Sequence, residues 1–478
     1  MSALYSVAEI VAATGGFASG IENQNVTSVS IDSREIAPGA LFVAIKGDQF
    51  DGHDFVEAAI AKGAVAALVS KKYASRYKGL ALIVVPDALE GLVDLARAAR
   101  ARSKAKFVAV TGSVGKTSTK EAIRNVLSGA GKTHASIKSF NNLWGVSLML
   151  ARMPRDMDFG VFEMGMNHAG EISPLSKLVQ PHIAVITSIA PAHLDQLGSL
   201  DAIAHAKAEI FDGVIKKGSA VINIDHDYAD VLLTKAHAAH LETIVTYGFL
   251  EAAEVRIEHA AQHLEGARAN IAWPDLDLEL TLASAGRHRL ANATAALCVA
   301  RLLQVDVEKA AVALATQKEI KGRGAILSFG PANGSLQVVD ESYNANPLSM
   351  HAALEVFAGM SAPHGRKVLV LGDMLELGPT SDELHRELAA TILNCSPDKI
   401  FLVGKHMAAL SEKLGKSRIS GHGLTIGDIN ASILDSLDYG DLVMIKGSNG
   451  VRLGDLVSQI RERFTIVDAS EQADEDIN

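Results

Sequence analysis

Cysteine is nearly absent: the 478 residues include two, Cys298 and Cys395, far apart and in no CxxC pair. That excludes a disulfide framework or a cysteine-built zinc site and suits a reducing compartment. Basic excess is also lacking. Lys and Arg number 45 against 55 Asp and Glu, for a net charge of -10 and a pI near 5.9. Binding to nucleic acid through a broad basic face is therefore not expected, although a local basic pocket for a phosphorylated substrate is compatible with these numbers. No uninterrupted apolar run approaches the roughly 18 residues of a membrane span. The opening MSALYSVAEIVAATGG has no basic stretch before an apolar core, so no secretory signal is read there. The expectation is a cytoplasmic monomer with no membrane span and no nucleic-acid partner.

What is present is ordinary for folded domains. A content of 48% hydrophobic and 21% charged residues lets each domain bury a core. At about 100–200 residues per domain, the length predicts two to four of them. Residues 1–82 carry short apolar runs (Ala40 to Ile45, Ala64 to Val69) broken by DSR, PG, KGD and DGHD, which predicts a small α/β domain rich in turns. Residues 83–316 repeat a strand-then-helix pattern, with strands at Phe107 to Val110, Phe159 to Phe162, Ile183 to Ile186 and Ala220 to Ile224. A helix is expected over Asn292 to Leu303. Such alternation predicts a parallel sheet covered by helices. A polar stretch, Gln317 to Gly324, opens a third region, 317–467, with strands at Gln337 to Val339, Val368 to Leu371, Ile400 to Val403 and Leu442 to Ile445. This predicts a second doubly wound, Rossmann-like domain. The acidic tail, 468–478, is expected to be disordered.

The run VAVTGSVGKTSTKEAI places a strand, a glycine turn and a helix in order. Glycines let backbone N–H groups approach phosphate oxygens, and the helix N-terminus adds favourable partial charge. Lys116 is expected to reach the β- and γ-phosphates and the Thr117 hydroxyl to meet Mg²⁺. The spacing departs from G-x-x-x-x-G-K-[ST], because Val110 stands where the first glycine belongs. A surface turn with an incidental lysine is the bland alternative. A phosphate loop alone fits a GTPase, a kinase, a motor or a ligase.

Glu163 and His193 each follow an apolar strand, and Lys207 lies in the helical segment DAIAHAKAEIF. Singly, each has an ordinary reading as a solvated strand end, a core histidine or a surface lysine. In a parallel sheet, however, strand ends gather on the edge beside the phosphate loop. Glu163 and His193 are expected to converge there on a metal.

Together these runs resemble the Mur ligases, amide-forming enzymes that build the peptide of bacterial cell-wall precursors. TGSVGKTSTKE, EMGMNHAGEI, TSIAPAHLDQLGSLDAIAHAKAEIF and GRHRLANATAAL occur in the family's order, and the likeness covers nearly the whole chain except the acidic tail. DSREIAPGALFVAIKGDQFDGHDF, DESYNANPLSM and LGDMLELG are most like members that add D-alanyl-D-alanine to UDP-N-acetylmuramoyl-tripeptide. The resemblance implies three α/β domains, for the UDP substrate, ATP and the amine, and the following roles. Gly112, Ser113, Val114, Gly115, Lys116, Thr117 and Ser118 hold the ATP phosphates. Thr117, Glu163 and His193 take part in two Mg²⁺ sites, and Lys207 works as a carbamate formed with CO₂. His288 and Asn292 hold the adenine end, Arg323 approaches the transferred phosphate, and Asp340 lies near the ribose. Ser33 and Arg34 hold the UDP end, Asn141 and Asn142 face substrate, and Asn344 and Asn346 lie near the incoming dipeptide. The implied catalytic groups are Lys116, His193, Lys207 and Arg323. Two positions depart from the family pattern: Arg289, where Asn is usual, and Leu348, where Asp is usual.

The chemistry explains the set. Joining a carboxylate to an amine in water requires activation, and transfer of the ATP γ-phosphoryl group gives an acyl phosphate. Mg²⁺ and Lys116 offset the charge of the meeting anions. Carbamylation makes Lys207 an oxygen ligand suited to a hard cation. It requires a neutral amine, which burial among Ala204, Ala206 and Ala208 favours. Competing readings are a folylpolyglutamate synthase-like ligase, which would lack the DSR-type first domain, and a P-loop ATPase or kinase, which leaves the third domain unexplained. A catalytically silent nucleotide-binding module would not need Lys116, Glu163, His193 and Lys207 together.

Overall fold

Runs such as FVAV, VFE and IAVI are buried on both faces, as strands in a helix-covered parallel sheet must be. The computed structural model describes residues 3–464, apart from 48, 138, 193, 264–265, 318 and 331–333. The tail 468–478 lies outside the described residues. Three main sheets follow one another along the chain.

The first has five strands in the order Phe17–Ser19, Leu82–Val85, Ala66–Ser70, Ala40–Val43, Ser28–Ser30. All pairs are parallel except the one made by Phe17–Ser19. The boundary read after residue 82 falls inside Leu82–Val85. Its hydrogen-bonded partners are first-sheet strands, and the chain leaves that sheet only through the helix Ala88–Arg102.

The central sheet has nine strands. Six parallel ones run Thr133–Ala135, Phe159–Glu163, Lys106–Thr111, Ile183–Ile186, Ser219–Asn223, Thr243–Gly248. An edge meander follows, of Val255–His263, Gly266–Trp273 and Leu276–Leu282. It is antiparallel within itself. The sequence reading anticipated a helix-covered parallel sheet and did not find this meander. The phosphate-loop strand Lys106–Thr111 lies between Phe159–Glu163 and Ile183–Ile186, with Val110 opposite Glu163 and Thr111 opposite Ile186. The C-terminal ends of all three strands therefore open on one crevice.

The third sheet has six strands: Ala325–Phe329, Leu336–Glu341, Leu442–Lys446, Lys367–Gly372, Lys399–Val403 and Gly421–Gly423. It is parallel except at Ala325–Phe329. Among the described residues no helix is long and apolar enough to cross a membrane.

Candidate active site

The phosphate loop turns sharply because Gly112 and Gly115 have φ of +149° and +87°, conformations open to glycine. A Cβ on Gly112 would collide with the Thr187 hydroxyl, and one on Gly115 would lie 2.6 Å from Asn292 Oδ1. Neighbouring backbone fastens the loop. Ser113 N–H donates to Ser188 O at 2.9 Å, Val114 N–H to Ser188 Oγ at 3.0 Å, and Ala190 N–H to Ser113 Oγ at 3.0 Å. Ser113 and Val114 thus spend their amides on the scaffold. The first-turn amides of the helix Lys116–Ser128, those of Lys116, Thr117 and Ser118, have no acceptor among the described residues. They are donors for an anion. The Lys116 ammonium lies against the loop, donating to Gly112 O at 2.6 Å and more distantly to Ser113 O. Burial lowers its pKa, Glu163 opposes that shift, and Arg323 adds to it.

Beside the loop, Glu163 is 1% exposed at its strand end. One oxygen accepts from the Thr117 hydroxyl at 2.7 Å and the other from Asn141 Nδ2 at 2.8 Å. Among the described residues no group of three or more His, Cys, Asp or Glu is placed to hold a metal. The hard-oxygen pair Thr117 and Glu163 nonetheless fits Mg²⁺, which keeps waters and phosphate oxygens in its shell and asks for few protein ligands. His193, expected here, lies outside the described residues. Lys207 sits on the helix Leu200–Ala208, is 1% exposed and has no hydrogen-bond or ion-pair partner among the described residues. Burial first, and the charge of Lys116 second, push its pKa well below the usual lysine range.

The helix expected at Asn292 starts at Arg287, so its first turns carry His288, Arg289 and Asn292. Asn292 Oδ1 accepts from the Thr119 hydroxyl at 3.1 Å, fixing this helix to the phosphate-loop helix. A cavity between them is lined by Ser118, His288, Arg289, Asn292, Glu319 and Arg323, among others. Burial, and then the charge of Arg289, bring His288 from the ordinary 6.5 down to about 4. The departure Arg289 is an anchor. It pairs with Glu319 in the linker, the polar stretch that joins the central and third domains, and donates to Ser284 Oγ at 3.0 Å.

Several expected site residues have scaffold roles. Asp340 accepts from Gly322 N–H at 3.0 Å and from Ser342 through both N–H and hydroxyl, so it clamps the linker onto the third sheet. Asn142 and Asn346 are helix N-caps, accepting from Gly145 N–H and Ser349 N–H at 2.9 Å each. Arg34 is exposed and its guanidinium grips Asp32 at 2.7 Å. Among the described residues neither it nor Ser33 bonds to the phosphate loop; the Ser33 carbonyl takes the Lys62 ammonium at 3.0 Å. Asn344 is exposed and its carbonyl accepts from buried Lys446 at 3.0 Å. At that edge three loops meet. Leu375 N–H donates to Ser448 Oγ at 2.9 Å, and the Ser448 hydroxyl donates to Ala345 O at 3.3 Å.

Sequence reasoning missed Lys120, Tyr343 and Lys446. Lys120 is fully buried, donating to Ser136 O and pairing with Glu121 at 2.7 Å. A charged residue on the core side of the TSTKE helix was the available signal. Lys446 pairs with Glu341 at 3.3 Å.

Comparison with known proteins matches three family models: the Mur ligase family catalytic domain over residues 25–100, the Mur ligase middle domain over 110–300 and the Mur ligase glutamate ligase domain over 322–449. The UDP-N-acetylmuramoyl-tripeptide--D-alanyl-D-alanine ligase of Rickettsia prowazekii is 36% identical, over 91% of this chain and 95% of that protein. A crystal structure of MurF from Acinetobacter baumannii superposes with a TM-score of 0.83 at 29% identity, covering 96% of this chain and 99% of that one. The MurF ligase of Thermotoga maritima, solved in complex with ADP, gives 0.76 at 26% identity, covering 91% and 97%. With three family models matched in succession along the chain and a relative 36% identical over 91% of it, the chain belongs to the Mur ligase family.

Proposed function

We propose that this chain joins D-alanyl-D-alanine to UDP-N-acetylmuramoyl-tripeptide at the expense of ATP, in peptidoglycan precursor synthesis. The observation that carries the reading is the Thr117–Glu163–Asn141 cluster beside free helix-end amides, in a chain that aligns along nearly its full length with ligases of that name. ATP, when bound, supplies the phosphoryl group that activates the substrate carboxylate as an acyl phosphate. The amides of Lys116, Thr117 and Ser118 bind its phosphates, and Thr117 and Glu163 hold Mg²⁺. Lys116 and Arg323 offset negative charge where the anions meet. His288 and Asn292 line the base end. Ser33 and Arg34 hold the UDP end, for which Arg34 exchanges Asp32 for a diphosphate. Asn344 and the meeting loops around Ser448 take the dipeptide, and exposed Leu348 and Leu375 suit its methyl side chains. The enzyme works in the cytoplasm as a monomer.

Comparison of D-alanine, L-lysine, meso-diaminopimelate and D-alanyl-D-alanine as acceptors tests the substrate. The dipeptide is expected to be joined fastest, and faster joining of a single amino acid would mean another member of the family.

Lys207 acts as a carbamate in this reading. Its neutral amine adds to CO₂, a C–N bond forms and one proton is released, leaving an anionic oxygen ligand for a second Mg²⁺. Complete burial, the absence of an acid partner among the described residues and the proximity of Lys116 all disfavour a bare ammonium. Lys207→Ala is expected to be nearly inactive, with partial rescue by acetate or formate. Rescue by methylamine instead, with an unmodified Lys207 in the native mass of active enzyme, would refute the carbamate.

A further inference from the structure

One contact between the third domain and the central one runs through an aromatic ring. Tyr343 follows the strand Leu336–Glu341, and its N–H donates to Gly322 O at 3.1 Å. The Arg323 guanidinium lies over the ring, 4.4 Å from its centroid. A Cβ on Gly322 would lie 2.9 Å from Tyr343 Cβ, and Gly322 has φ of +76°, so the linker packs this closely only as glycine. The phenol hydroxyl donates to Ser139 Oγ at 2.7 Å, across 204 residues of sequence.

Ser139 belongs to a loop with two other duties. Buried Lys120 donates to its Ser136 carbonyl, and Asn141 donates to Glu163, the carboxylate that shares Thr117. Asn141 O also accepts from Gly165 N–H at 2.9 Å, just beyond the Glu163 strand. The ring of Tyr343 thus orients Arg323, whose charge reaches Lys116, while its hydroxyl steadies the loop that holds Glu163.

We propose that Tyr343 is a positioning residue for the ligation, a clasp that sets Arg323 and the Asn141–Glu163 pair in place together when the third domain is docked. The proposal rests on the ligase reading above. It separates Tyr343 from a simple domain contact, which would contribute to stability alone. A coupled pair acts on kcat and leaves the binding of nucleotide to the central domain in place.

Steady-state kinetics of the full-length chain test this, using Tyr343→Phe, Ser139→Ala, the double variant and Tyr343→Ala. ADP affinity and melting temperature are read alongside. Tyr343→Phe keeps the ring and loses the hydroxyl bond, so kcat is expected to fall about tenfold with the KM for ATP and the affinity for ADP little changed. Ser139→Ala is expected to match it, and the double variant to be no worse than either single one. Tyr343→Ala, which also frees Arg323, is expected to fall further. Unchanged kcat in Tyr343→Phe, or losses that multiply in the double variant, would overturn the clasp. So would a loss in ADP affinity or melting temperature that accounts for the whole effect. Failure of the wild-type chain to release phosphate in response to the dipeptide would instead defeat the ligase reading itself, and the clasp with it.

Discussion

Lys116 meets two opposing demands: it must stay charged to offset phosphate, and it lies half-buried against the carbonyls of its own loop. Removing it leaves the loop fastened by Ser188, whose contacts do not involve the lysine. Lys116→Ala is therefore expected to lower kcat by about 10²–10³-fold while the circular dichroism spectrum stays that of the wild type. Near-normal phosphate release would remove this loop from the mechanism. His182 gives a test by pH. Its Nδ1 accepts from Phe107 N–H at 3.0 Å, in the phosphate-loop strand, and burial brings its pKa from the ordinary 6.5 to about 4. Between those values the unfolded chain binds more protons than the folded one, so stability falls as pH drops from about 6.5 to 4. His288, also at about 4, contributes in the same sense. Melting temperatures measured at pH 7 and pH 5 are expected to show this loss, with a smaller difference in His182→Gln. An equal pH difference in that variant would mean that His182 does not carry it. Single residues of the loop and of the Glu163 strand end were legible in the sequence, because their chemistry sits at fixed offsets from apolar runs. The caps Asn142 and Asn346 were not separable from substrate contacts, since the same amide side chain serves both uses.

The strand–loop–helix unit works because two glycines accept backbone that other residues resist. Gly112→Ala is expected to cost about 1–3 kcal/mol in backbone strain, with the collision at Thr187 added to it. A fall in the urea midpoint together with weaker ADP binding checks this, and an unaltered midpoint would show that the loop relaxes freely. The same element was readable from sequence because a four-residue buried run, GKT and an amphipathic helix occur without interruption. The meander from Val255 to Leu282 was not. RIEHAAQH and ARANIAW mix alanine with charge, and only LDLELTL alternates cleanly. What holds them is cross-strand pairing, from Arg256 opposite Ala272 to Ala267 opposite Leu282, which depends on the neighbouring strand more than on a strand's own residues. The early start of the helix Arg287–Leu302 was hidden for another reason: its N-cap is Gly286, without a capping side chain.

Across the whole molecule, the first and central domains are joined by a shared core. Leu148 and Ala151 of the central helix Leu143–Ala151 pack with Leu41, Val43 and Leu68 of the first sheet, and Arg152 Nε donates to Val29 O at 2.6 Å. The third domain meets the central one through polar contacts: Tyr343 with Ser139, Arg289 with Glu319, and Asp195 N–H with Glu376 O at 3.2 Å. An apolar seam resists relative domain motion more strongly than polar contacts do. The three α/β sheets were visible in the order of apolar runs. The docking was not, because Tyr343 and Ser139 lie 204 residues apart and neither has a periodic signature. The central claim is that this architecture brings a dipeptide amine to a carboxylate activated by ATP. It is tested most directly by phosphate release from ATP and Mg²⁺ in the presence of UDP-N-acetylmuramoyl-tripeptide, with and without D-alanyl-D-alanine. The account predicts sustained release only when the dipeptide is present, with one phosphate per amide formed. Equal release with and without the dipeptide, or none in either case, would contradict it.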